Sequence, residues 1–149
     1  MSLNMLFKNI LVPWDGSNPS LHAFKIALDI AKKYDSKISV IHCIQNEAYR
    51  GQWFPDAGYS KAVIKKQTKS AEAEIDKLVV LAKNKGIQIS ATVLAAPSIV
   101  KQIVTYVKSK KIDLVIMGSH GRTGWSKTLY GSVANGVSQN IHCPVLIVR

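Results

Sequence analysis

Short apolar runs alternate with segments of helical periodicity along the whole chain, and this alternation constrains the fold more than any other feature. Ile10-Leu11-Val12 is apolar without a break, as in a strand buried on both faces of a parallel sheet. Pro13 and Gly16-Ser17-Asn18-Pro19 stop it, and Ser17 or Asn18 can cap a helix with Pro19 in its first turn. Phe24, Ala27, Leu28 and Ala31 then recur at helical spacing. A second strand is predicted over 38–44 and a long helix over 60–85, ended by Gly86. A third strand over 87–94, a helix carrying Val100, Ile103, Val104 and Val107, and a fourth strand over 113–117 follow. A helix over 128–140 and a strand over Val145–Val148 close the series. The expected fold is α/β: one open, doubly wound sheet of five parallel strands in a single domain, 1–149, with right-handed crossovers.

Only the stretch 45–59, which holds Tyr49, Trp53, Phe54, Pro55 and Tyr59, breaks the rhythm and is read as a loop. Its aromatics serve equally as a cover for a ligand or as surface packing. No apolar run approaches the roughly 20 residues needed to span a bilayer. No signal-peptide pattern opens the chain either, so a cytoplasmic protein is expected. Cys43 and Cys143 are the two cysteines, each beside an apolar run, and are expected as buried thiols in a reducing compartment. His42 and His142 precede them, but neighbours on a strand point to opposite faces, which argues against a shared metal.

The net charge of +11 comes from lysines scattered along the chain. Most read as solvated faces or as cations at helix C-termini, where the dipole favours them. Their excess would raise the local concentration of anions. Nucleic-acid binding through this charge is an alternative, disfavoured because no stacking aromatics are interleaved with the lysines.

In open α/β sheets ligands bind beyond the carboxyl ends of the strands, where the strand order reverses. Two strand ends carry the residues for this: Pro13-Trp14-Asp15-Gly16-Ser17, and Gly118-Ser119-His120-Gly121-Arg122 with Gly131-Ser132 further on. Phosphate needs backbone amides presented by a loop without bulky side chains, ideally at a helix N-terminus. The P-loop pattern fails, because Ser126 stands where its second glycine belongs before Lys127-Thr128. The dinucleotide fingerprint fails too, lacking the paired glycines and the acidic ribose partner.

Gly118, two residues, Gly121, nine residues and Gly131-Ser132 together resemble the ATP-binding signature of the universal stress protein family. The opening Ile10-Leu11-Val12-Pro13-Trp14-Asp15-Gly16-Ser17 and the ending Cys143-Pro144-Val145-Leu146-Ile147-Val148 are similar to that family as well. The resemblance implies a Rossmann-like sheet of the adenine nucleotide α-hydrolase type, strand order 3-2-1-4-5, with ATP lying across the first and fourth strand ends. By position, Pro13 and Asp15 would face the adenosine, with Asp15 hydrogen-bonding base or ribose and Trp14 among the binding residues, and Cys43 falls where the family often has a valine against adenine. Met117 and Gly118 would flank the ribose, while Gly121, Gly131, Ser132 and Val133 would hold the phosphates. The resemblance also implies a homodimer through Val145–Val148. The family's glycine after the third strand is replaced in Ala95-Ala96-Pro97, which puts the width of the pocket in question.

Asp15 could bind adenosine, help hold Mg²⁺, or simply bond its own turn. His120, Arg122 and Lys127 are charged or polar neighbours for phosphate, and Trp125 falls inside the glycine loop. No second carboxylate and no evident base accompany Asp15, so any ATP hydrolysis should be slow. The function expected is therefore a nucleotide-dependent sensor or switch in a stress response. A slow ATPase and a nucleic-acid-binding protein are the alternatives.

Overall fold

A computed structural model describes residues 6–45, 57–120 and 131–149, with the backbone alone for 57–60. The elements run β1 Asn9–Pro13, α1 Asn18–Tyr34, β2 Lys37–Gln45, α2 Ala57–Asn84, β3 Ile89–Ala96, α3 Ile99–Ser109, β4 Leu114–Gly118, α4 Ser132–Asn140 and β5 Val145–Val148. All strand pairs are parallel, in the order β3-β2-β1-β4-β5. The sheet grows in one direction from β1 to β3 and in the other from β4 to β5. The order therefore reverses between β1 and β4, the place where such folds leave a crevice.

Two layers of helix cover the sheet. Phe24, Ala27 and Leu28 of α1 and Ile75, Leu78 and Ala82 of α2 pack on Ile10, Val12, Ile38, Val40 and Ile116. On the opposite face Ile103 and Val107 of α3 and Ala134 and Val137 of α4 pack on Leu11, Ile41, Val115 and Met117. Because alternate residues of β1 enter opposite layers, both must be apolar, which is why that strand reads as a continuous run. Each fully buried leucine or isoleucine contributes roughly 1.5–3 kcal/mol.

The predicted ends hold where a cap marks them. The Ser17 side chain accepts from the amide of Ser20 at 3.2 Å, and Pro19 lies in the first turn of α1. Gly86, at φ 72°, receives the end of α2. Its amide donates to Lys83, and that of Ile87 donates to Ala82. This turn buries Ile87 but leaves it outside the ladder, so β3 begins at Ile89 rather than 87. At the other end, α2 starts at Ala57, so Gly58 and Tyr59 are helical rather than part of a loop. The rest of that aromatic stretch, 46–56, lies outside the described residues. Gly131 caps α4, which begins at Ser132 and not at 128; positions 128–130 lie outside the described residues. A glycine with extended backbone there breaks the helical periodicity that the sequence pattern carries across it.

Candidate functional site

The carboxyl ends of β1, β2 and β4 meet the N-terminal ends of α1, α3 and α4 around one cavity of about 300 Å³. On the β1 side the chain is held at each step. The Trp14 amide donates to the Ile41 carbonyl at 2.8 Å, extending the sheet by one residue. The Trp14 ring is buried in the core, and its Nε1 donates to Glu74 Oε2 at 3.3 Å. Asp15 Oδ1 accepts from the Ser17 amide at 2.9 Å across Gly16, whose φ of 80° lets the chain turn. The turn role weighed for Asp15 is thus one it performs, while its side chain also borders the cavity.

Gly118, at the end of β4, lies against the start of α1. A Cβ there would come within 2.8 Å of Pro19 Cβ and 3.0 Å of the Pro19 carbonyl carbon. This glycine is therefore required by packing, whatever else it does. Beyond it, the Ser119 amide donates to the Val148 carbonyl at 2.6 Å, and the Gly131 amide returns to the Ser119 carbonyl at 2.6 Å. The first bond of α4 runs from the Asn135 amide to the Gly131 carbonyl. The amides of Ser132, Val133 and Ala134 precede that ladder, and Gly131 has no side chain to cap them. All three residues border the cavity.

Pro13, Trp14, Asp15, Cys43, Met117, Gly118, His120, Gly131, Ser132 and Val133 line this one cavity. Gly121 and Arg122, with Trp125 and Lys127, lie outside the described residues. Cys43 and Met117 form part of the inner surface, where burial pushes the Cys43 thiol up to about 11 and keeps it neutral. Both cysteines are free and only partly buried, and they sit at opposite ends of the sheet. Burial also raises the Cys143 thiol, with the Asp113 charge adding to it and a backbone hydrogen bond opposing. His120 Nδ1 lies 3.1 Å from Ser119 Oγ, and its Nε2 is buried without a hydrogen-bond partner among the described residues.

Ser17 and Ser119, which stand in the two strand-end stretches without an assigned ligand role, also line the cavity, as do Ser20 and the apolar wall of Ile41, Ile99 and Ile103, for which the sequence pattern points to no site. Ile103 carried a signal, since it had been placed on a helix face, but a buried face and a cavity wall read alike. Ala95, Ala96 and Pro97 do not border the cavity; that side is closed by Ile99 and Ile103 instead. Among the described residues no three His, Cys, Asp or Glu side chains gather as a metal site. No helix among them is long and apolar enough to cross a membrane.

The family model described as "Universal stress protein family" matches residues 6–149. The chain belongs to the universal stress protein family. It is 34% identical to a universal stress protein of Methanocaldococcus jannaschii over 97% of this chain and 83% of that one. Among solved structures, UspA of Lactobacillus plantarum superposes with a TM-score of 0.86 at 19% identity, over 96% of this chain and 98% of that one. A universal stress protein solved in complex with cAMP matches at TM-score 0.66 and 23% identity, over 97% and 98% of the two chains. One from Archaeoglobus fulgidus in complex with dAMP matches at 0.64 and 18%, over 97% and 100%. At these identities the structures share the fold with this chain, and it is the family that joins them.

Proposed function

We propose that this universal stress protein binds ATP in the carboxyl-end cavity and acts as a nucleotide-dependent switch in a stress response, with at most slow hydrolysis. The observation that carries the reading is the uncapped start of α4. Three amides outside the helical ladder, at the positive end of a helix dipole, border a cavity whose other wall holds Asp15. That is an arrangement suited to phosphate. The Nε2 of His120 on the same cavity, buried and without a partner among the described residues, offers one more polar atom to a ligand. The partly apolar floor, with Ile41, Cys43 and Met117, suits the flat face of adenine. Two related structures, one holding cAMP and one dAMP, add support for an adenine nucleotide.

Asp15 is the carboxylate on this cavity among the described residues. Mg²⁺ is commonly held by one or two carboxylates together with substrate phosphates, so the ion would enter with ATP. Asp15 would then both turn the chain and face the ligand. With no second carboxylate beside it on this cavity among the described residues, turnover in a single-turnover assay should be slow. The partly exposed apolar edge of β5, with Leu146 40% exposed, supports a homodimer built on Val145–Val148, which sedimentation would decide. A cytoplasmic location fits this reading, and localisation of a tagged chain would check it.

Calorimetry on the wild type and on Gly131→Val tests the site. Gly131 has φ −59° and ψ 159°, angles that valine adopts, so the fold should survive. Its bulk at the mouth of the amides should weaken ATP binding by about 100-fold or more, roughly the loss of two charge-assisted hydrogen bonds. Equal affinity in both proteins, or AMP binding as tightly as ATP in the wild type, would reject the phosphate placement.

A further inference from the structure

In a parallel α/β sheet, strand beginnings and helix ends come together on one edge, opposite the ligand cavity. Here that topology collects lysines that look scattered in the sequence. Lys8 immediately precedes β1 and Lys37 opens β2; the Lys37 amide donates to the Lys8 carbonyl at 2.9 Å, so the two are neighbours. Lys32 and Lys33 fall in the last turn of α1, and Lys83 and Lys85 at the end of α2. Lys108, Lys110 and Lys111 close α3. All nine are exposed. Two aspartates share this edge, Asp35 and Asp113, and the Asp113 carboxylate is occupied by the amides of Lys8 at 2.8 Å and Asn9 at 3.0 Å.

Helix dipoles account for lysines in last turns, but not for Lys8 beside Lys37 at two strand starts. Nor do they account for the cleft of about 590 Å³ between the ends of α2 and α3, which Lys37, Lys83 and Lys110 line together. Asn9, Gln88 and Ser90 add neutral hydrogen-bonding groups to its walls.

We infer that this amino edge is a docking face for the phosphate backbone of double-stranded nucleic acid, with one backbone ridge entering the Lys37–Lys83–Lys110 cleft. The charge extends across strands spaced about 4.8 Å apart, too broad for one small anion and suited to a polymer whose charge repeats. A single strand would call for freely exposed stacking rings; on this edge Tyr34 is half-buried, its ring 5.7 Å from that of Phe7, and Tyr106, the aromatic that lines the cleft among the described residues, is half-buried as well. A flat bilayer would not enter the cleft, and a membrane-seated face carries a continuous apolar stripe beside its lysines. The contact is to backbone alone and is blind to sequence. It stands independently of the nucleotide site at the other edge.

Fluorescence anisotropy with a labelled mixed-sequence DNA duplex and the full chain tests this. Wild-type affinity should fall steeply between about 50 and 200 mM salt. The variant Lys37→Glu/Lys83→Glu/Lys110→Glu should bind at least about 10-fold more weakly, with its salt slope reduced by about 3. Lys61→Glu/Lys65→Glu/Lys69→Glu, on the exposed side of α2, makes the same change in net charge and should keep most of the affinity. Glutamine at 37, 83 and 110 repeats the test without charge reversal, and thermal unfolding of each variant checks the fold. Equal loss in both triple variants would overturn the proposal in favour of unspecific attraction to net charge. It also fails if the amino-edge variants bind like wild type, or if vesicles containing phosphatidylserine are bound and the duplex is not. Excess ATP should leave the duplex bound, and displacement by ATP would place the contact at the wrong edge.

Discussion

The two walls of the carboxyl-end cavity are built in opposite ways. The wall of β1 and α1 is closed upon itself: Trp14 is bonded to Ile41 and Glu74, Asp15 to the Ser17 amide, and the Ser17 side chain to Ser20. Gly118 is pressed against its back. The wall of α3 and α4 presents Ile99, Ile103 and the start of a helix whose first amides have no capping side chain among the described residues. The first wall uses its polar groups on its own geometry, whereas the second starts its helix on a glycine that gives the first amides no side-chain cap. A buried or half-buried amide without a partner costs about 1–3 kcal/mol, so an uncapped helix start beside a cavity is a place where a ligand can restore what the fold leaves out. On the proposed function the contrast divides the labour: one wall would position the ligand, the other would bind it.

The largest expected effect breaks the rigid wall. Gly118→Ala places a methyl within 3.0 Å of the Pro19 backbone, which α1 cannot yield without moving its capped first turn. Overpacking of this kind costs roughly 1–3 kcal/mol, and the backbone contact puts the expected loss near about 3 kcal/mol. Urea unfolding measures it. A variant as stable as the wild type would mean that the wall is not rigid and that the comparison is drawn wrongly.

The glycines show how far sequence reading carries. The order of elements was legible because strands buried on both faces must be apolar throughout, as Ile10 to Val12 and Leu114 to Met117 are. The cavity's location was legible too, since Pro13 to Ser17 and Gly118 onward stand at two strand ends beside a reversal of strand order. What the sequence could not separate is why each glycine is there. Gly118 and Gly131 both read as parts of a phosphate loop, yet Gly118 is fixed by the approach of Pro19, a contact between residues far apart in the chain. Gly136 stands in no motif, yet it lets α4 lie against Val100 of α3. Ile99 and Ile103 read as core because an apolar helix face gives the same periodicity whether it meets a side chain or a cavity. The lysines of the amino edge likewise look dispersed until the topology brings their positions together.

A second, smaller effect sharpens the comparison on the open wall. A Cβ at Gly136 would meet Val100 Cγ2 at 2.9 Å and Cγ1 at 3.1 Å, both side-chain atoms. Alanine gains about 0.5–1 kcal/mol of helix propensity over glycine, but valine is stiff in a helix and gives way poorly. Gly136→Ala should therefore cost about 1 kcal/mol net, after overpacking is set against propensity. In a Val100→Ala background the collision is gone, and the same change should stabilise by about 0.5–1 kcal/mol. The sign reversal, read from a double-mutant cycle, is the diagnostic. Additive effects would mean that α3 and α4 do not hold this wall through that contact.

The effect that vanishes at neutral pH concerns the floor between the walls, where Cys43 stands with its thiol raised from 9.0 to about 11 by burial. A thiol is charged when deprotonated, so a raised value means that the folded state holds its proton more tightly than the unfolded chain does. The associated stability is complete below about pH 9 and is lost as the pH rises toward 11. Near the top of that window the loss should be on the order of 1–2 kcal/mol. Cys43→Val removes the titration, so subtracting its stability curve from that of the wild type cancels the lysines and tyrosines that also titrate there. The difference should be flat below pH 9 and slope against the wild type above it. A flat difference throughout would show that water reaches the floor freely, and a floor open to water would not offer the dry apolar surface that the proposed adenine site requires.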